Sequence, residues 1–173
     1  MSMTLIETVE LASSASSITF SSIPQTYTDL KILCASRGDT TLGNIWEDIN
    51  LNLNGTIGSA ILLFGTGSVA DSISPPDISG GFGNQAEATS NTFGNQAIYI
   101  PNYKSTTTKS YTIDSIVENN ATTAFTAILA GTNSTTSAVA TIALVPRFGN
   151  FVAGSTFSLY GITAGSDGTT TVS

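Results

Sequence analysis

The sequence predicts an all-β protein, an antiparallel β-sandwich of the jelly-roll kind. Three observations carry the expectation. Apolar and polar residues alternate with period two over many short runs, the spacing that sends side chains to opposite faces of a strand. Gly, Pro, Asn and Asp interrupt those runs at short intervals, as turns require. No stretch makes a convincing helix. Two packed sheets bury one face of every strand and are the economical arrangement; an up-and-down barrel comes second.

The chain is organised around residues 16–36. Ile18 and Phe20 alternate with Ser17 and Thr19, and Leu30, Ile32 and Cys34 alternate with Lys31, Leu33 and Ala35. Between them Pro24 removes a ladder donor and the polar residues favour a turn, so the segment reads as strand, corner, strand. Upstream, Leu5, Val9 and Leu11 stand against Ile6, Thr8 and Glu10 in an imperfect first strand, with Glu7 the misfit. Residues 36–44 carry Gly38, Asp39 and Gly43 and read as a loop.

Ile49, Leu51 and Leu53 alternate with Asn50 and Asn52, which implies one dry face and one wet face. Asn54-Gly55 then signals a hairpin turn of the type that needs positive φ. Ile57 and residues 60–64 read as the returning strand.

From 65 to 95 the pattern disappears. Gly65, Gly67, Gly80, Gly81, Gly83 and Gly94, with Pro75-Pro76, break regular elements, and a stretch of this length reads as one long irregular loop. Within it Phe82-Gly83-Asn84-Gln85-Ala86 recurs as Phe93-Gly94-Asn95-Gln96-Ala97, too close for a solenoid repeat.

Strands resume at 97–100, stopped by Pro101-Asn102, and at 110–118, with Tyr111, Ile113 and Val117 on one face. Asn119-Asn120 turns the chain into 124–130, where Phe125, Ala127 and Leu129 share a face. Residues 131–137 form a polar turn. Residues 138–145 are apolar on both faces, as in a central strand, and Phe157, Leu159 and Gly161 mark a last one. One domain spans 1–173, with an ordered core over 5–162. The tail 163–173 has little to bury and is expected to fray.

Composition bounds the function. Of 173 residues only 10% are charged, with five Lys and Arg against twelve Asp and Glu, a net charge of −7. Mean hydropathy is +0.21, yet no apolar run approaches the roughly 18 residues that span a bilayer. The single cations Lys31, Arg37, Lys104, Lys109 and Arg147 form no cluster able to neutralise phosphates, so neither nucleic acid nor an anionic membrane is an expected partner. A surface built from Ser, Thr, Asn and Gly repels neighbours weakly, and assembly is its natural use.

Chemistry is equally constrained. Histidine is absent, which removes Ser-His-Asp and Cys-His catalysis and His-based zinc sites. Cys34, alone, reads as a small buried hydrophobe. Glu47-Asp48 and Asp114 with Glu118 are the only acidic pairs that suggest a glycosidase, and nothing around them signals a cleft. Gly65-Thr66-Gly67-Ser68-Val69-Ala70 and Gly81-Phe82-Gly83-Asn84-Gln85-Ala86 fit a loose dinucleotide pattern but open no helix. Arg37-Gly38-Asp39 spells an integrin-binding tripeptide, and Asn54, Asn120 and Asn133 head glycosylation sequons; composition explains both. The expectation is therefore no catalytic residue, no metal and no cofactor. Trp46, Phe82 and Phe93, in or beside loops, are the candidate interface residues, read against the alternative that they plug the core.

Three phrases of the sequence carry a likeness: 17–30 (Ser-Ile-Thr-Phe-Ser-Ser-Ile-Pro-Gln-Thr-Tyr-Thr-Asp-Leu), Tyr99-Ile100-Pro101-Asn102-Tyr103, and Ser158-Leu159-Tyr160-Gly161-Ile162. Over about 5–162 the chain resembles small β-rich virion proteins of tailed bacteriophages. The resemblance implies a structural role, as a capsid decoration (cement) protein or as part of a tail or fibre. It implies a homo-oligomer, a trimer, with the major capsid protein or other virion proteins as partners, and no active-site residues. The N-terminus lacks a secretory signal pattern, so synthesis in a cytoplasm is expected, and the resemblance implies a host cell and residence in the virion. Capsid decoration is preferred because the chain starts at Met1 and has no long fibrous segment.

Overall fold

Alternation of apolar and polar side chains decides how the chain divides into sheets. The protein is described here by a computed structural model covering residues 2–73, 78–119 and 123–164. Within them there are thirteen strands and no helix: β1 (Ser2–Glu10), β2 (Ile18–Phe20), β3 (Asp29–Ser36), β4 (Trp46–Leu53), β5 (Thr56–Ile57), β6 (Ser59–Gly65), β7 (Ala70–Ile73), β8 (Phe82–Asn84), β9 (Gly94–Ile100), β10 (Lys109–Glu118), β11 (Ala124–Asn133), β12 (Ile142–Pro146) and β13 (Thr156–Thr163). All pair antiparallel. An eight-stranded sheet runs β1-β13-β3-β9-β10-β11-β6-β7, and a five-stranded one includes β2-β12-β4-β5 with β8 also on β4. The fold is the antiparallel sandwich expected from the sequence, with open edges rather than a closed barrel.

One hydrophobic cluster fills the space between the sheets. Ile32, Ile98, Ile113, Leu129 and Leu159 from the large sheet meet Phe20, Ile49, Leu51, Leu53 and Leu144 from the small one, all buried. β10 and β11 alternate buried and exposed at every step, as their sequences predict. The corner at Pro24 carries the chain from the small sheet (β2) to the large one (β3). Asn54 and Gly55 adopt φ of 49° and 85°, the expected tight turn. The Asn54 side chain also holds the distant segment that leads into β12: its Nδ2 donates to Ala138 O (2.8 Å) and its Oδ1 accepts from Ala140 N (2.8 Å) and Thr141 N (3.1 Å).

Four expectations are corrected. The returning strand after Gly55 lasts two residues; the chain then leaves β4 and crosses to pair with β11 as β6. β12 starts at Ile142, not at 138, although it is central, between β2 and β4. β11 continues to Asn133, into the expected turn. In β1, pairing to β13 passes from Leu5 to Glu7 with a register shift, a β-bulge at Ile6. The extra residue reverses the phase, so Ile6, Val9 and Leu11 pack on the core while Leu5 faces out at 53% exposure.

The long loop is also corrected. Residues 65–95 contain β7, β8 and the first residues of β9. Both pentapeptide copies begin strands or lead into them, and they meet. A Cβ on Gly94 would lie 2.7 Å from Asn84 N and 2.9 Å from Gly83 C, so only glycine allows the two backbones this approach. Pro75-Pro76, the Asn120-Ala121-Thr122 sequon and 165–173 of the expected frayed tail lie outside the described residues.

The link between β8 and β9 is irregular, and one side chain makes four of the hydrogen bonds that hold it. Arg37, 9% exposed, donates through Nη1 to Thr89 O (2.8 Å) and Thr92 O (3.1 Å), and through Nη2 to Ala86 O (2.9 Å) and Ala88 O (3.0 Å). Four carbonyls that no strand uses are satisfied by one planar cation. Arg37→Met keeps the aliphatic stem and removes the donors. We expect it to lower unfolding free energy by about 3 kcal/mol, measured by urea denaturation, and to open 86–92 to protease.

Candidate functional site

Each acidic candidate has a structural position. Asp114 and Glu118 both point outward from β10 and are exposed. Glu47 is 1% exposed on β4. It accepts a hydrogen bond from Thr40 Oγ1 and another from Phe148 N at 3.2 Å, tying two loops to the small sheet. Burial raises its pKa, only partly countered by those hydrogen bonds. Burial also raises that of Asp48, against the pull of Arg147 at 3.4 Å. Among the described residues no three His, Cys, Asp or Glu side chains are grouped to hold a metal ion. Cys34 is buried and its thiol pKa is pushed far up by desolvation, so it is an inert core residue.

The tripeptide Arg37-Gly38-Asp39 is structural throughout. Arg37 is turned inward onto its four carbonyls. A Cβ on Gly38 would sit 2.7 Å from Glu47 Oε2, so the glycine makes room for that carboxylate. Asp39 accepts from Asn150 N (2.8 Å) and Asn150 Nδ2 (3.0 Å). The sequon residue Asn133 is likewise buried and donates to Thr56 O at 2.7 Å. The first dinucleotide-like stretch is the hairpin between β6 and β7, closed by Thr66 N donating to Val69 O.

Of the three aromatic candidates, the structure brings two together. Trp46 stacks on Phe125 with centroids 4.7 Å apart, and Phe82 meets the same ring edge-on at 4.9 Å. Phe64 stacks on it at 5.6 Å. Phe82 is 1% exposed and takes the core-plug place, the alternative weighed for it from the sequence. Trp46 is half-buried, one ring face covered by Phe125. Phe93 stands apart, half-buried, beside Gly154. The aromatic group borders a cavity of about 130 Å³ together with Leu62 and Ile78.

A feature the sequence reading passed over lies on the outer face of the large sheet. Strand register sets its side chains in three rows. One runs Leu5, Tyr160, Lys31, Tyr99, Thr112, Ala130, Ile61; the next Thr8, Ser158, Leu33, Ala97, Asp114, Ile128, Leu63, Ser72; the third Glu10, Thr156, Ala35, Asn95, Ile116, Thr126, Gly65, Ala70. Lys31, Asp114 and Glu10 are the charged residues among them, and Asp29 on β3 and Glu118 on β10 add two outward carboxylates just beyond these rows. Ile61, Leu63, Ile116 and Ile128 are 62%, 56%, 53% and 56% exposed on adjacent strands. Contiguous exposed aliphatics of this kind mark contact surfaces more often than single ones do. The available signal was a large aliphatic at the outward step of an alternating strand, as at Ile128 between Thr126 and Ala130.

Comparison of the chain with protein-family models, with curated proteins and with solved structures finds no match.

Two outcomes test this assignment of roles. Phe82→Ala should cost about 3–5 kcal/mol of folding stability, as loss of a buried Phe does, and Phe93→Ala distinctly less; equal melts for the two would contradict it. Glu47 and Asp48 bind protons more tightly folded than unfolded. Their contribution therefore makes the fold more stable as pH falls from neutrality through their raised range toward the ordinary carboxylate range. Urea midpoints at pH 7 and pH 5 should shift upward on acidification by more in the wild type than in Glu47→Gln.

Proposed function

We propose that the protein is a structural component of a tailed-phage virion, a decoration protein that binds and stabilises the head shell and associates with copies of itself. It works by binding and carries out no chemistry. The observation that carries this reading is the outer face of the eight-stranded sheet, broad, sparsely charged and studded with exposed aliphatics. Such a face gains from being covered and loses little charge solvation when it is. The buried charges support the same reading, because each is used to hold a loop. Arg37 serves 86–92, Glu47 serves the loops at Thr40 and Phe148, and Lys109 Nζ donates to Ser105 O and Thr107 O, both at 2.7 Å. The resemblance of the sequence phrases to virion proteins supplies the biological setting.

Immunogold labelling of purified particles tests the proposal. We expect label over the head, and expect particles lacking the protein to lose their genome at a lower temperature. Label confined to the tail would replace this reading with that of a tail or fibre receptor-binding module. Unlabelled particles would overturn both.

A further inference from the structure

We propose that the outer face of the eight-stranded sheet packs on the same face of a second copy, about a two-fold axis lying along β9. The inference rests on the self-association part of the proposed function and not on the virion setting, and it puts a dimer in place of the trimer that the resemblance implies. The area suits it. Eight strands about 4.8 Å apart and three rows about 7 Å apart give a face of roughly 750 Å², close to the ~800 Å² per partner of a stable interface. Sheets stacked face to face about 10 Å apart interdigitate side chains such as these.

Charge selects the second copy and the axis. Lys31 on β3 and Asp114 on β10 flank β9, one strand to either side and one row apart. Rotation about β9 lays β3 of one copy over β10 of the other. Each Lys31 then meets the partner's Asp114 within one row, a step that a lysine side chain spans, and the pair forms twice. The same rotation lays β1 over β6 and β13 over β11. Leu5 then covers Ile61 and Tyr160 covers Ala130, in the same row. Rotation about β10 would instead stack Asp114 on its own copy, and like charges oppose each other there. In a chain of net charge −7, the two cross-copy lysines offset part of the repulsion between copies.

Light scattering and sedimentation equilibrium on the full chain test this. At tens of micromolar we expect a mass twice the 17.8 kDa of one chain. Lys31→Glu should weaken the dimer at least about tenfold, and K31E/D114K should restore it to within about threefold of wild type. Ile128→Lys should give a monomer. All of these side chains point away from the core, so an unchanged thermal melt separates loss of association from loss of fold. A wild-type mass of one chain or of three would overturn the inference, as would K31E/D114K no tighter than K31E, or Ile128→Lys still dimeric. Virion labelling with a monomeric wild type would leave the proposed site in the particle standing and this interface refuted.

Discussion

The guanidinium of Arg37 is the fixed point from which the irregular half of the sandwich is built. It sits at the end of β3, where the strand has just delivered Ile32 and Cys34 to the core, and it gathers the carbonyls of Ala86, Ala88, Thr89 and Thr92. Closing that loop sets β8 beside the start of β9. Only then can Gly83 and Gly94 touch, Asn84 Nδ2 reach Thr92 Oγ1 at 2.8 Å, and Phe82 drop between the sheets against Phe125. A buried cation costs solvation energy, and burial accordingly lowers its pKa. Four charge-assisted hydrogen bonds offset that cost.

A shortage of charge explains how the rest of the molecule is held. With few ionic side chains to spend, the loops are fastened by amides and backbone groups. Asn54 pins 138–141, Asn133 reaches Thr56, and Gln96 Nε2 donates to Gly80 O at 3.0 Å. The few buried charges act as multi-armed fasteners. The same shortage leaves the outer face of the large sheet with little to keep a neighbour away. The manner of fastening inside and the sparse charge of the face outside have one compositional cause.

The sandwich was legible because period-two alternation is a local property. β10 could be drawn from sequence almost to the residue, as could the start and facing of β11, and Asn54-Gly55 declared its turn. Features that depend on distant partners were not legible. The bulge at Ile6 exists only in register with β13, and it turned Leu5 outward. The jump of the chain after Ile57 depends on β11 accepting β6. Arg37 read as an ordinary loop cation because its four acceptors lie some fifty residues away. The outer-face aliphatics were invisible for a different reason: Ile116 and Ile128 look like ordinary strand residues until the register sets Ile128 beside Leu63 and Ile116 diagonally next to Ile128.

Hydroxyl-radical footprinting of the intact protein at high and low concentration bears most directly on the claim that this outer face is a contact surface. Leu5, Ile61, Leu63 and Ile128 should become protected as concentration rises, while the exposed Leu42 and Phe148, away from the large sheet, should keep their reactivity. Equal reactivity of the outer-face aliphatics at every concentration would contradict the account.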